Sequence, residues 1–111
     1  MPDPLYHWSP RRRLSSINRS GLLPGKQNVA DEDSEYRQPG VCTSPDAATA
    51  WAYSHGVWKV PGTYDLWQFW LESTDDVEIL RRWGDRIIEV RVHNRITKRR
   101  LRWVGERTIK G

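Results

Sequence analysis

The sequence predicts an α+β fold built as one domain. Three observations carry that prediction: a length of 111 residues, two strand-like runs each followed at once by Ser-Pro and a helical pattern, and a late alternation of apolar and polar residues from 87 to 92. A chain of this size holds one hydrophobic core. Apolar residues make up 37% of it, and seven Trp, four Tyr and one Phe supply much of that mass. Each buried ring removes a large area from water, so a small core is feasible.

Leu5-Tyr6-His7-Trp8 is β-prone and stops at Ser9-Pro10, where Ser can cap a helix and Pro can open its first turn. Leu14 and Ile17 share a helical face, and Gly21-Leu22 has the form of a left-handed C-terminal cap with its hydrophobic contact, which predicts a helix over 10–20. Residues 23–40 carry two Pro, two Gly and the acidic run Asp31-Glu32-Asp33, the composition of a long flexible surface loop. Val41-Cys42-Thr43 is a second short strand. Ser44-Pro45-Asp46 then repeats the start signal ahead of Ala47, Ala50, Trp51 and Ser54 at helical spacing.

Residues 55–62 read as a turn-rich link. Residues 64–72 alternate, with Trp67, Phe69 and Leu71 on one face, and predict a central strand. Residues 77–83 suit either a short helix or a strand, and a short helical turn is expected. In the run from 87 to 92, Ile88, Val90 and Val92 face inward and Ile87, Glu89 and Arg91 face the other way. Ile96 and a last strand over 101–106 close the chain. No internal repeat or low-complexity tract is present.

Eighteen Lys and Arg against fourteen Asp and Glu give a formal charge of +4, which suits phosphate-bearing partners without requiring them. The basic residues cluster at Arg11-Arg12-Arg13, Arg81-Arg82 and Lys98-Arg99-Arg100, each of which also reads as a solvated face. Cations at the start of a helix oppose its dipole, so phosphate binding explains the Arg11 cluster better than helix stability does. The single cysteine, Cys42, excludes an internal disulfide and a cysteine-rich zinc site and fits a reducing cytosol. His7, His55 and His93 have no metal-ligand spacing, so no metal is expected. The chain opens without an apolar leader and has no window of eighteen apolar residues, so a cytoplasmic protein without membrane insertion is expected. Neither a glycine-rich phosphate loop nor a Rossmann fingerprint occurs. Cys42 in an apolar strand and Ser44 in a capping position do not support a hydrolase nucleophile.

Three stretches together resemble the ADP-ribosyltransferase superfamily, including DarT-type toxins, tRNA 2′-phosphotransferases and rifampicin-inactivating transferases. They are Leu5-Tyr6-His7-Trp8-Ser9 running to Ile17 and Gly21-Leu22, Val41-Cys42-Thr43-Ser44 followed by residues 47–53, and Gly84-Asp85-Arg86-Ile87-Ile88-Glu89-Val90-Arg91-Val92 followed by Ile96. The order of elements is also similar to that of small actinobacteriophage proteins, for which a toxin or counter-defence role is one expectation. The resemblance implies split antiparallel or mixed sheets with two short helices, one after strand 1 and one after strand 2. It implies NAD as a consumed substrate and not a redox cofactor, with transfer to a nucleic-acid or protein acceptor, or to water.

Cleavage of the nicotinamide–ribose bond passes through an oxocarbenium-like state, and a carboxylate beside the ribose stabilises the developing charge. The resemblance gives that role to Glu89, which spacing alone reads rather as an exposed strand residue paired with Arg91 or a lysine. His7 would hydrogen-bond a ribose hydroxyl, the backbone around Trp8 would meet the nicotinamide amide, and Ser9 would support them or serve only as an N-cap. Trp51 and Tyr53 are candidates for the aromatic wall against nicotinamide. Here the sequence departs from the family pattern, since Trp51 shares a helical face with Ala47 and Ser54 and also reads as core. Trp8 and Tyr36 could substitute. Arg11, with Arg12 and Arg13, could bind the pyrophosphate or a nucleic acid, as could Arg37. A rival reading keeps the fold without catalysis, as a module whose interleaved aromatic and basic residues bind nucleic acid or a host protein. The 2′-phosphotransferase branch is a third, and its basic residues have no clear counterparts here.

Overall fold

The computed structural model describes residues 3–24, 40–53 and 60–111, with the side chains of Tyr53 and Arg81 left aside. Tyr36, Arg37, His55, most of the loop over 23–40 and most of the link over 55–62 lie outside the described residues.

The chain forms an α+β fold with two three-stranded antiparallel sheets. One holds β1 (Leu5–Pro10), β3 (Gly62–Phe69) and β6 (Arg102–Ile109) in the order β1-β3-β6. The other holds β2 (Val41–Thr43), β5 (Arg86–Val92) and β4 (Val77–Trp83) in the order β2-β5-β4. Helix α1 (Leu14–Ser20) follows β1, and α2 (Ala47–Tyr53) follows β2.

Several local expectations are corrected. Pro10 has φ −60 and ψ 144, so it completes β1 instead of opening a helix, and Arg11–Arg13 form a 3-10 turn ahead of α1. The helix is therefore shorter than 10–20. Ser9 does not cap it; its hydroxyl accepts from Trp67 Nε1 at 3.1 Å inside the protein. Asp46, rather than Ser44, caps α2: Oδ1 accepts from the Ala48 N–H at 3.3 Å and Oδ2 from the Thr49 hydroxyl at 2.7 Å. Residues 77–83 form a strand and not a helical turn. Gly84-Asp85, with Gly84 at φ 60, closes a two-residue hairpin in which Val77 pairs with Val92 and Trp83 with Arg86, and register shifts around Arg81 absorb the misfit. β3 ends at Phe69, so Leu71 reaches the core from beyond the strand end. β6 runs on to Ile109, past the expected 106, because its pairing with β3 continues to Gly62.

The left-handed cap at Gly21 has φ 77, and its N–H donates to the Ile17 carbonyl at 2.8 Å. Leu22 pairs with Ile96 in both directions at 2.9 Å, so the end of α1 is tied to the segment after β5. A Cβ at residue 21 would collide with the Ile96 carbonyl oxygen, so this crossing requires glycine.

Two apolar clusters fill the interior. Leu5, Ile17, Leu22, Trp67, Phe69, Val90, Val92 and Ile96 are among the residues of the first, which lies between the sheets. Trp8, Ala50, Trp51, Tyr64 and Leu66 form the second, which fixes α2 to the reverse face of β1 and β3. Strand alternation explains the division: Leu5 and His7 project to one side of β1, Tyr6 and Trp8 to the other.

Candidate site at the parting of the two sheets

β1 runs beside β3 for its whole length but meets β2 at one point. The Tyr6 N–H donates to the Ser44 carbonyl at 2.8 Å, and the Ser44 N–H returns to the Tyr6 carbonyl at 3.1 Å. An unbroken antiparallel register from that bridge would set Trp8 opposite Cys42. Instead β2 turns away to pair with β5, Cys42 facing Arg91 and Thr43 facing Val90. The His7 ring occupies the opening, with Nδ1 donating to the Cys42 carbonyl at 2.8 Å. A carbonyl only accepts, so Nδ1 carries a proton and donates it.

The same alternation turns the Trp8 peptide groups to the edge that carries those of Tyr6, away from β3 and toward the parting. Its side chain points into the second cluster, where Nε1 donates to the Ala47 carbonyl at 2.9 Å. Trp8 thus splits its work, side chain to the interior and backbone to the seam.

Glu89 is not an exposed strand residue: it is 7% exposed, and Arg91 is 3% exposed, so β5 is covered on both faces. Both approach the Cys42 thiol. Arg91 Nη2 lies 3.5 Å from Sγ, and the buried Glu89 carboxylate is near enough to act electrostatically on the same thiol. Burial pushes the thiol up to about 11, Glu89 adding to the rise and Arg91 opposing it. Cys42 is therefore a packed hub rather than a nucleophile. His7 and Glu89 stand on different sheets, and both act on Cys42: His7 bonds its carbonyl, and Glu89 raises the pKa of its thiol.

The other candidates are spread more widely. Ser9 is buried against Trp67. Trp51 is buried, with Trp8 and Tyr64 edge-on at 5.0 and 5.2 Å and the Arg107 guanidinium 4.2 Å from its ring centroid. That packing makes Trp51 the anchor of α2. The Tyr53 backbone ends α2, and Tyr36 lies outside the described residues. Arg11 has a structural explanation that its place in the sequence concealed. Its Nε and Nη2 donate to Asp65 at 2.7 to 3.0 Å and its Nη2 also to Glu106 at 2.7 Å, which raises its already high pKa further. Asp65 is fully buried and also accepts from Trp103 Nε1 at 2.9 Å. A carboxylate inside the apolar run Tyr64-Asp65-Leu66-Trp67 was the available signal, because a buried anion needs a cation.

Among the described residues no group of three or more His, Cys, Asp or Glu could hold a metal ion, and no helix is long and apolar enough to cross a membrane. A separate surface cavity of about 590 Å³ is lined by Glu72, Asp75, Asn94, Arg95, Arg99 and Arg100 among others. Its Arg100 is bound to Asp75 at 2.6 Å. Comparison with protein-family models, with curated proteins and with solved structures finds no match.

Proposed function

We propose that the chain is an NAD-consuming enzyme, transferring ADP-ribose to a nucleic-acid or protein acceptor or to water, with the parting of the two sheets as its nicotinamide-ribose site. The observation that carries the reading is that the His7 ring bonds the Cys42 carbonyl where β1 and β2 part, while Glu89 is buried on the neighbouring strand and acts on the Cys42 thiol. The two-sheet arrangement with a helix after β1 and after β2 supports it as well.

The chemistry follows from those groups. An amide such as that of nicotinamide has one donor face and one acceptor face, and a strand edge released from its neighbour offers the complementary N–H and C=O. Trp8 supplies that edge. His7, its ring oriented by the Cys42 carbonyl, hydrogen-bonds a ribose hydroxyl. Glu89, held in a largely water-excluded strand, stabilises the positive charge that develops on the ribose as nicotinamide leaves.

The test is incubation of the chain with NAD, alone and with DNA, RNA and protein acceptors, followed by chromatography of free nicotinamide. Release is expected; intact NAD in every arm would refute the reading. Nucleic-acid binding that persists in Glu89→Gln, with no turnover by the wild type, would instead establish the non-catalytic module.

A further inference from the structure

Seven tryptophans serve this chain in different ways, and Trp83 stands apart. Trp8, Trp51 and Trp67 are 7%, 8% and 2% exposed, whereas Trp83 is 81% exposed at the tip of the β4–β5 hairpin. Among the described residues its ring contacts no other ring and no cation. A two-residue turn closed by Gly84 at φ 60 needs no aromatic neighbour, and the cross-strand partner of Trp83 is Arg86, not an apolar residue. Folding therefore gains little from this indole, and a large apolar ring left in water at a loop tip points to a partner.

The residues around it define the partner's chemistry. Arg82 precedes Trp83 and is exposed, and Arg86 faces it across the turn with a side chain 65% exposed, joined to Asp46 only at 3.4 Å. Against these two cations the tip carries one acid, Asp85. An unobstructed indole face flanked by exposed guanidinium groups matches a flat base on a phosphate backbone: the ring stacks and the arginines neutralise. A duplex keeps its bases stacked on one another and offers the ring no face.

We propose that the β4–β5 hairpin tip is a stacking site for unpaired nucleobases, with Trp83 as the platform and Arg82 and Arg86 as the phosphate contacts. The inference rests on the exposure of these side chains and not on NAD chemistry, although β5 leads from the tip to Glu89 within about 10 Å of strand. A single strand held at the tip would thus lie near the sheet parting.

The experiment uses the whole chain without NAD and follows anisotropy of labelled oligothymidylate and oligouridylate of about 15 nucleotides at about 50 mM salt. Both single strands are expected to bind, the DNA and RNA arms showing whether the sugar matters, and unlabelled duplex to compete poorly. Trp83→Ala should weaken binding about tenfold or more, while Trp83→Phe stays within about threefold, with unchanged circular dichroism in both. Arg82→Gln with Arg86→Gln should reduce the slope of log affinity against log salt by about 1.4, near 0.7 per phosphate contact. Wild-type affinity in Trp83→Ala, or displacement by duplex as effective as by single strand, overturns the proposal. Binding to anionic lipid vesicles that depends on Trp83, without oligonucleotide binding, overturns it in favour of a membrane surface. None of these outcomes depends on whether NAD is cleaved.

Discussion

Cys42 joins two sheets through two different atoms. Its carbonyl oxygen holds the His7 ring, and its thiol lies 3.5 Å from Arg91 and under the influence of Glu89, so one residue in the middle of a three-residue strand sets the geometry of the candidate site. With the thiol pushed up to about 11 by burial, the thiolate is about 100-fold scarcer at pH 8 than for an ordinary cysteine. The native chain should therefore react with a disulfide reagent at least about 100-fold more slowly than the chain in denaturant. Equal rates would mean that the strand is open. Gly21 makes a second residue-scale prediction. Its left-handed φ and the adjacent Ile96 carbonyl leave no room for a side chain, so Gly21→Ala should cost roughly 2–3 kcal/mol in urea unfolding. The glycine was legible in the sequence as a cap; its contact with Ile96 was not, because 75 residues separate the two. Long separation in sequence likewise hid the partners of Arg11 and the burial of Glu89.

At the scale of elements, pairing across strands decided what local pattern left open. Residues 77–83 admit a helix or a strand on their own, and the alternating partner at 86–92 with a Gly84-Asp85 turn selects the hairpin. The central strand, the two helices and the inward set Ile88, Val90 and Val92 were readable because their periodicity is local. The segment between β3 and β4 was not, since Asp75 organises it through distant groups. Burial pushes the Asp75 carboxyl upward, but hydrogen bonds from Arg100, the Glu72 N–H and Asn94 outweigh that and bring it down to about 2. A carboxyl depressed by folding stabilises the native state above its unfolded value and loses that contribution as pH falls toward its folded value. Urea midpoints should therefore drop between about pH 4 and pH 2 in the wild type, and the drop should be smaller in Asp75→Asn. An unchanged pH profile in that variant would remove Asp75 from the account.

Across the whole molecule, the two sheets share one apolar core and one polar seam. Buried Asp65 fastens the end of β1 to β3 and β6 through Arg11 and Trp103. Asp65→Ala should lower stability by about 2 kcal/mol, because it removes the buried acceptor that Arg11 and Trp103 share. The seam is where fold becomes function in this account: β1 and β2 part, His7 bridges the opening, and Glu89 stands buried beside Cys42. The most direct test compares nicotinamide release from NAD by the wild type and by Glu89→Gln, which keeps the side-chain volume and removes the charge. Release by the wild type is expected, with a loss of at least about 100-fold in a variant that still unfolds cooperatively. Release by folded Glu89→Gln at the wild-type rate would contradict it.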